Sequence, residues 1–405
     1  MADAAPDLVA DVQPVGSLAW LIAPEPAERF LAEHWERQPL VVHRGMPDRH
    51  AGLLSLDDVH RVLTETVLRL EDVQVTNAAR DVRPEQYSRE GGIIDVARLY
   101  QELADGSTVI LPQLHLRLPR LAAFCRSLES ELGARFQTNV YLTPAGARGF
   151  RSHYDSHDVF VLQVAGRKRW RLYQTPIRLP MQGQRFTPGS VEPERTSAAF
   201  TLEPGDTAYI PRGVMHDAES DDGPSLHITV GMLTRTWHDL FVEALSEVTL
   251  NDPDFRRSLP PGFVGPGYDR SAARARFREL MDRLVARADF DAALDRFVDD
   301  LAATRHPLLP GQSAQMAALP RLDGDSLVAA RPGLICRLEQ KANTLTIHCY
   351  GNAVIVPAKA APAAVAALQP SGTAIRDLPG PLDLEGRLVL VRRLVREGLV
   401  TVQVP

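Results

Sequence analysis

Two segments decide how this sequence is read: GFRSHYDSHDVFVLQVAGRKRWRLY at 149–173 and EPGDTAYIPRGVMHDA at 203–218. On an extended chain, residues i and i+2 point the same way. His153 and Asp155 therefore offer an imidazole and a carboxylate to a common point. The turn PRGVMH then brings in His216 from a later strand, 61 residues after Asp155. Two histidines and one carboxylate on one face, with open positions opposite, form the arrangement that suits non-haem Fe(II) with a chelating co-substrate and O2. His157 and Asp158 stand close by as rival donors.

Alternation along RKRWRL gives an independent indication. Lys168, Trp170 and Leu172 share one strand face, and Arg167, Arg169 and Arg171 take the other. The chain has 45 basic residues, of which only Lys168, Lys341 and Lys359 are lysines, so a compact point charge is the exception here. An ammonium on an apolar face either snorkels to solvent or meets an anion inside, because burying it unpaired is costly. A carboxylate co-substrate is the natural anion.

Neighbouring strands repeat the pattern. Asn139, Tyr141 and Thr143 oppose Val140 and Leu142, and His227 and Thr229 oppose Leu226, Ile228 and Val230. If the apolar faces pack into the core, the polar faces line a cavity. These strands lie in a stretch from 136 to 235 made of short strands broken by Gly/Pro turns, the signature of an antiparallel sandwich or barrel. Before it, 16–135 mixes helices with strand-like runs at PLVVH (39–43) and VLRLEDVQV (67–75). Ser55 and Asp95 are the expected helix caps, and a further helix is expected from Leu118 to Leu132.

After it, 236–305 returns to helical periodicity, with one apolar stripe at Phe277, Leu280, Met281, Leu284 and Val285 and another at Leu294, Phe297, Val298 and Leu301. The last part, about 318–405, reads as a small separate domain with strands at TLTIHCY, AVIVP and LVTVQV and a helix around Leu384–Glu397.

Composition narrows the function classes. The net charge is -6, and 318–405 holds ten basic against seven acidic residues, so no basic surface calls for nucleic acid. No apolar run reaches the length of a membrane span, and the first residues are acidic where a secretory signal would be basic. Three cysteines, Cys125, Cys336 and Cys349, without metal-ligand spacing fit reduced thiols in the cytoplasm.

HYDSHDVFVLQVAGRKRWRLY together with EPGDTAYIPRGVMHDA resembles the JmjC-type cupins, specifically the bacterial and eukaryotic ribosomal oxygenases. AERFLAEHWERQPLVV (27–42) is similar to the family's N-terminus. The resemblance implies an α+β protein with a double-stranded β-helix core that takes Fe(II), 2-oxoglutarate and O2. His153, Asp155 and His216 would bind the iron. Lys168 would pair with the distal carboxylate of 2-oxoglutarate, and Asn139, Tyr141 and Thr229 would lie near it.

The domain organisation implied is an oxygenase domain with N-terminal α/β elements over 1–235, a helical dimerisation region over 236–310 and a winged-helix-like domain over 318–405. The expected function is hydroxylation of a protein side chain, first of all in a ribosomal protein, by a homodimer without membrane or nucleic-acid partners. Two alternatives stand beside it: an oxygenase for a free amino acid or small metabolite, and a nucleic-acid-binding module with a degenerate cupin.

Overall fold

The computed structural model describes residues 16–404; the acidic first residues lie outside them. The chain divides between Thr234 and Arg235 into two compact units.

In the first unit the helices form where the caps stand. Ser55 Oγ accepts the Asp58 N–H at 3.1 Å while the Asp58 carboxylate accepts the Ser55 N–H at 2.9 Å. This reciprocal cap starts the helix Leu56–Glu65, which buries Val59, Val62 and Leu63. Asp95 caps Val96–Ala104. Pro119, whose missing N–H costs nothing at the first helical position, opens Pro119–Leu132.

Ten strands follow in chain order: β1 (Leu40–Val42), β2 (Gln74–Thr76), β3 (Thr108–Leu111), β4 (Arg135–Thr143), β5 (Asp158–Ala165), β6 (Lys168–Leu172), β7 (Ala198–Leu202), β8 (Thr207–Ile210), β9 (His216–Ser220) and β10 (Ser225–Leu233). They build a seven-stranded sheet in the order β1-β8-β5-β10-β4-β3-β2 and a three-stranded sheet β7-β6-β9. Every pairing is antiparallel.

Strand parity explains how the sheets stack. On β5, Phe160 and Leu162 enter the large core against the helices, whereas Val159 and Val161 enter a second core with Trp170, Leu172, Leu202 and Ile210. A strand buried on both faces must be apolar throughout, and DVFVLQV nearly is. On β10, Leu226, Ile228, Val230 and Met232 take the helix side, which turns His227 and Thr229 inward between the sheets. The result is the double-stranded β-helix core expected from the sequence.

One local reading changes. VLRLEDVQV is a strand only at Gln74–Thr76; upstream, the Asp72 carboxylate accepts the Arg69 N–H at 2.9 Å and closes a turn, a side-chain bond that competes with strand pairing. HDAES is β9, the later strand expected to carry His216. Its acidic residues face arginines of β6 across the ladder, with Asp217 opposite Arg171 and Glu219 opposite Arg169, pairs that support a polar strand.

The second unit opens with the helices Trp237–Asn251, Ser271–Arg287 and Phe290–Thr304. Phe277, Met281 and Val285 of the first apolar stripe are exposed, as are Leu294 and Val298 of the second. Further on, β11 (Leu327–Ala330), β12 (Arg337–Gln340), β13 (Thr344–Cys349), β14 (Asn352–Pro357), β15 (Thr373–Ala374) and β16 (Val400–Gln403) form the sheets β15-β11-β16 and β12-β13-β14. The helix Leu384–Arg396 buries Leu388, Leu390, Val391, Leu394 and Val395 in their shared core. No helix among the described residues is long and apolar enough to cross a membrane.

Candidate metal centre

The segment before β5 and the segment entering β9 are stitched together by main chain. His153 N–H donates to the His216 carbonyl at 3.0 Å, His216 N–H donates to the His153 carbonyl at 2.7 Å, and Gly213 N–H donates to the Asp155 carbonyl at 2.9 Å. Gly213 has φ +88°, and a Cβ there would stand 2.0 Å from the Ile177 carbonyl oxygen. Only glycine allows the chain through this point.

The outcome is a group of three potential ligands. One donor atom each from His153, Asp155 and His216 lie within 4.8 Å of one another. Each histidine places Nδ1 against a carbonyl two residues earlier, His153 on Arg151 at 2.9 Å and His216 on Val214 at 3.0 Å. A carbonyl can only accept, so Nδ1 carries the proton and Nε2 is left as the ligating lone pair. Burial, then the neighbouring His153, pushes His216 down to about 4, so its imidazole is neutral at pH 7. Burial works to raise the Asp155 carboxyl, but His153, His216 and His157 outweigh it and hold it below its ordinary value.

Asp217 ties the two ligand-bearing segments together. It is buried and accepts from Ser152 Oγ at 2.7 Å, Tyr173 OH at 2.8 Å and Arg171 Nε at 2.8 Å. Ser152 precedes His153 and Asp217 follows His216, so one carboxylate links the two ligand segments. The rival donors are accounted for. His157 lies outside the three-ligand group and packs on Gly231, where a Cβ would stand 2.7 Å from its Nε2. Asp158 is buried and spent on Tyr209 OH (2.8 Å) and Arg212 Nη1 (2.6 Å).

Beside the three ligands a cavity of about 230 Å³ runs between the sheets, lined among others by Thr108, Tyr141, Lys168, Trp170, His227 and Thr229. Lys168 is 3 % exposed. Its Nζ donates to Thr143 Oγ1 at 3.0 Å, and among the described residues no carboxylate pairs with it. Burial alone pulls its pKa down to about 7.

Tyr141, pushed up to about 12 by burial and then by Asp155, holds its hydroxyl near Thr229 and Asn139. Asn139, expected at the co-substrate, does not line the cavity. It sits one pleat further along β4, where its Oδ1 accepts the Gln113 N–H at 3.1 Å. Thr108 and Trp170 were not among the expected cavity residues, although strand parity turned Trp170 inward; His227, expected on the polar face with Thr229, does line the cavity.

Outside the three ligands opens a groove of about 1290 Å³, bordered by Thr76, Arg80, Arg148, Phe186 and Glu192. Phe186, in the long connection between β6 and β7, stands 6.4 Å from the His153 ring and 5.4 Å from the Tyr154 ring.

Residues 113–240 match the family described as the JmjC domain. The chain is 34% identical over 322 residues to ribosomal oxygenase 1 of Gallus gallus, covering 72% of this chain and 51% of that protein. It is 30% identical over 309 residues to the bifunctional lysine-specific demethylase and histidyl-hydroxylase NO66 of Aedes aegypti, covering 72% and 48%. The chain thus spans about half the length of these curated relatives.

Among solved structures, Escherichia coli YcfD superposes with a TM-score of 0.57 at 17% identity over 94% of this chain and 98% of that one. YcfD in complex with cobalt and 2-oxoglutarate, described as a ribosomal oxygenase, gives 0.53 at 18% over 94% and 99%. These two likenesses show the cupin fold. With its JmjC domain and these relatives, the chain belongs to the JmjC proteins that include the ribosomal oxygenases.

Proposed function

We propose that this protein is an Fe(II)- and 2-oxoglutarate-dependent oxygenase that hydroxylates a side chain of a protein, a ribosomal protein first of all. The observation that carries the reading is the pairing of an open His153–Asp155–His216 group with a buried, carboxylate-free Lys168 across a cavity sized for a small dicarboxylate. The donor set fits iron: two imidazoles and one carboxylate, all on one face. The lysine fits the far carboxylate of 2-oxoglutarate. When bound, iron would supply the oxidising chemistry that couples decarboxylation of 2-oxoglutarate to oxygen transfer.

The chain's own residues do the rest. His153, Asp155 and His216 hold the ion, and Asp217 keeps the two imidazoles aimed. Lys168 and Thr143 receive the co-substrate, with Tyr141 and Thr229 forming the adjoining wall. The groove binds the substrate and brings one C–H bond to the ion, where binding of remote residues supplies orientation. Its size favours a peptide over a free amino acid. Phe186 shields the His153 side of its mouth from water.

For the other regions we assign 1–235 to the oxygenase domain, 236–310 to a helical region whose exposed Phe277, Met281, Val285, Leu294 and Val298 form a homodimer contact, and 318–405 to a winged-helix-like domain. Cys125, Cys336 and Cys349 form no disulfide among the described residues, which fits the reducing cytoplasm.

To test the reading, the protein is incubated with Fe(II) and 2-oxoglutarate, with ribosomal-protein peptides and free amino acids offered in parallel and products read by mass. A gain of one oxygen on a peptide is expected. Loss of a methyl group would make it a demethylase, and oxidation confined to a free metabolite would overturn the peptide reading.

A further inference from the structure

His227 is a polar side chain of the cavity wall that neither holds the metal nor pairs with Lys168. It is buried on β10 and lines the cavity. Its Nδ1 is sealed from solvent with no hydrogen-bond partner among the described residues, which leaves Nε2 as the nitrogen available to an occupant. Two aromatic rings fix the imidazole in place. Tyr141 stacks on it at 4.7 Å with planes 9° apart, and Trp170 meets it edge-on at 5.7 Å and 84°. A ring clamped on two sides cannot swing to find a partner, so its remaining nitrogen is aimed in advance.

The protonation state follows from the surroundings. Burial, and then the Lys168 charge, hold His227 well below its ordinary pKa, so the ring is neutral and carries one N–H. A sealed donor without an acceptor bears the full cost of desolvation. The proton therefore belongs on Nε2, facing the cavity, with the bare lone pair on Nδ1.

The hydroxyls near Lys168 already have partners on one side or the other. Thr143 Oγ1 accepts from Lys168 at 3.0 Å and from Thr108 Oγ1 at 3.1 Å. The Tyr141 hydroxyl is engaged with Thr229 and Asn139. A carboxylate arriving at Lys168 has two oxygens and about four lone-pair sites, more than one ammonium satisfies. The Nε2–H of His227 is a further donor here, and unlike the rotatable Thr143 hydroxyl its direction is fixed by the two flanking rings.

We propose that His227 is a further co-substrate-binding residue, donating its Nε2–H to the carboxylate that Lys168 pairs. This rests on the oxygenase reading above. The two residues would divide the work: Lys168 supplies charge, and His227 supplies direction and selects a ligand with an acceptor at that depth of the cavity.

The test is calorimetric titration of 2-oxoglutarate into Mn(II)-loaded protein without O2, so that binding is read without turnover. His227→Phe keeps a flat ring against Tyr141 and removes the donor. Its 2-oxoglutarate affinity is expected to fall roughly tenfold to a hundredfold, as for a hydrogen bond to a charged group, with Mn(II) affinity unchanged. His227→Gln, which places an amide N–H close to the Nε2 position, is expected to recover most of the loss. An unchanged affinity in His227→Phe overturns the proposal, and so does an equal loss in both variants, which would mark a packing role. If the unaltered protein binds no 2-oxoglutarate, the oxygenase reading itself fails and takes this inference with it.

Discussion

Replacing Lys168 by Met should separate binding from folding. Lys168 is 3 % exposed and, among the described residues, its ammonium has one hydroxyl partner, so the ligand-free protein bears much of its desolvation cost. Its pKa stands at about 7 in the fold against about 10.4 in an unfolded chain. A cation whose pKa is lowered by folding destabilises the fold wherever the unfolded chain would hold the proton, from about pH 10 downward, and most fully below pH 7. Lys168→Met removes that penalty. The ligand-free variant should therefore melt higher than the parent at pH 7, by an amount on the order of a few kcal/mol.

Binding should move the opposite way. A charge-assisted contact is worth about 1.5–3 kcal/mol, so 2-oxoglutarate affinity should drop roughly tenfold to a hundredfold. The pH dependence carries its own sign. A bound carboxylate raises the Lys168 pKa, so binding takes up a proton when pH exceeds 7. Affinity should be level below pH 7 and weaken by about tenfold per unit above it. The parent should thus bind about tenfold more weakly at pH 8 than at pH 6, whereas Lys168→Met should show no such slope. Calorimetry on Mn(II)-loaded protein, paired with thermal melts of the ligand-free forms, reads both effects. A variant that melts lower, or a parent whose affinity is flat from pH 6 to pH 8, would refute the reasoning.

Three further outcomes follow from the geometry. Asp217→Asn keeps the size of the residue that joins Ser152, Tyr173 and Arg171 but weakens its acceptors; metal affinity should fall about 10–100-fold in a metal titration, and an unchanged value would deny the bracing role. Gly213→Ala forces a Cβ against the Ile177 carbonyl at positive φ and should cost at least about 1–3 kcal/mol in denaturant melts; a neutral effect would mean the turn relaxes freely. The exposed Phe277, Met281 and Val285 predict a dimer in light scattering at micromolar concentration that Val285→Glu dissociates, and a parent protein of monomer mass would remove the dimer.

The parts of the site visible in the sequence are those that obey local periodicity. Parity alone put His153 with Asp155, turned Lys168 inward with Trp170, and set His227 and Thr229 opposite an apolar face, because a strand's alternation does not depend on its partners. Parity could not say where along a strand the cavity stops. Asn139 shares a face with Tyr141, yet the Gln113 backbone takes its side chain.

Long-range bonds left no local trace. Ser152 and Asp217 lie 65 residues apart, and no spacing rule joins them. The Arg212 side chain reaches both Asp158 and Glu36, the latter 176 residues away.

The central claim is that His153, Asp155 and His216 form a working iron site facing a 2-oxoglutarate cavity. The most direct measurement is release of labelled CO2 from 2-oxoglutarate carrying the label in its C1 carboxylate, with and without Fe(II), for the unaltered protein and for His216→Ala checked for fold by circular dichroism. The account predicts Fe(II)-dependent release from the unaltered protein and none above background from the folded variant. Release that persists in His216→Ala, or none from the unaltered protein with Fe(II), 2-oxoglutarate and O2 present, would contradict it.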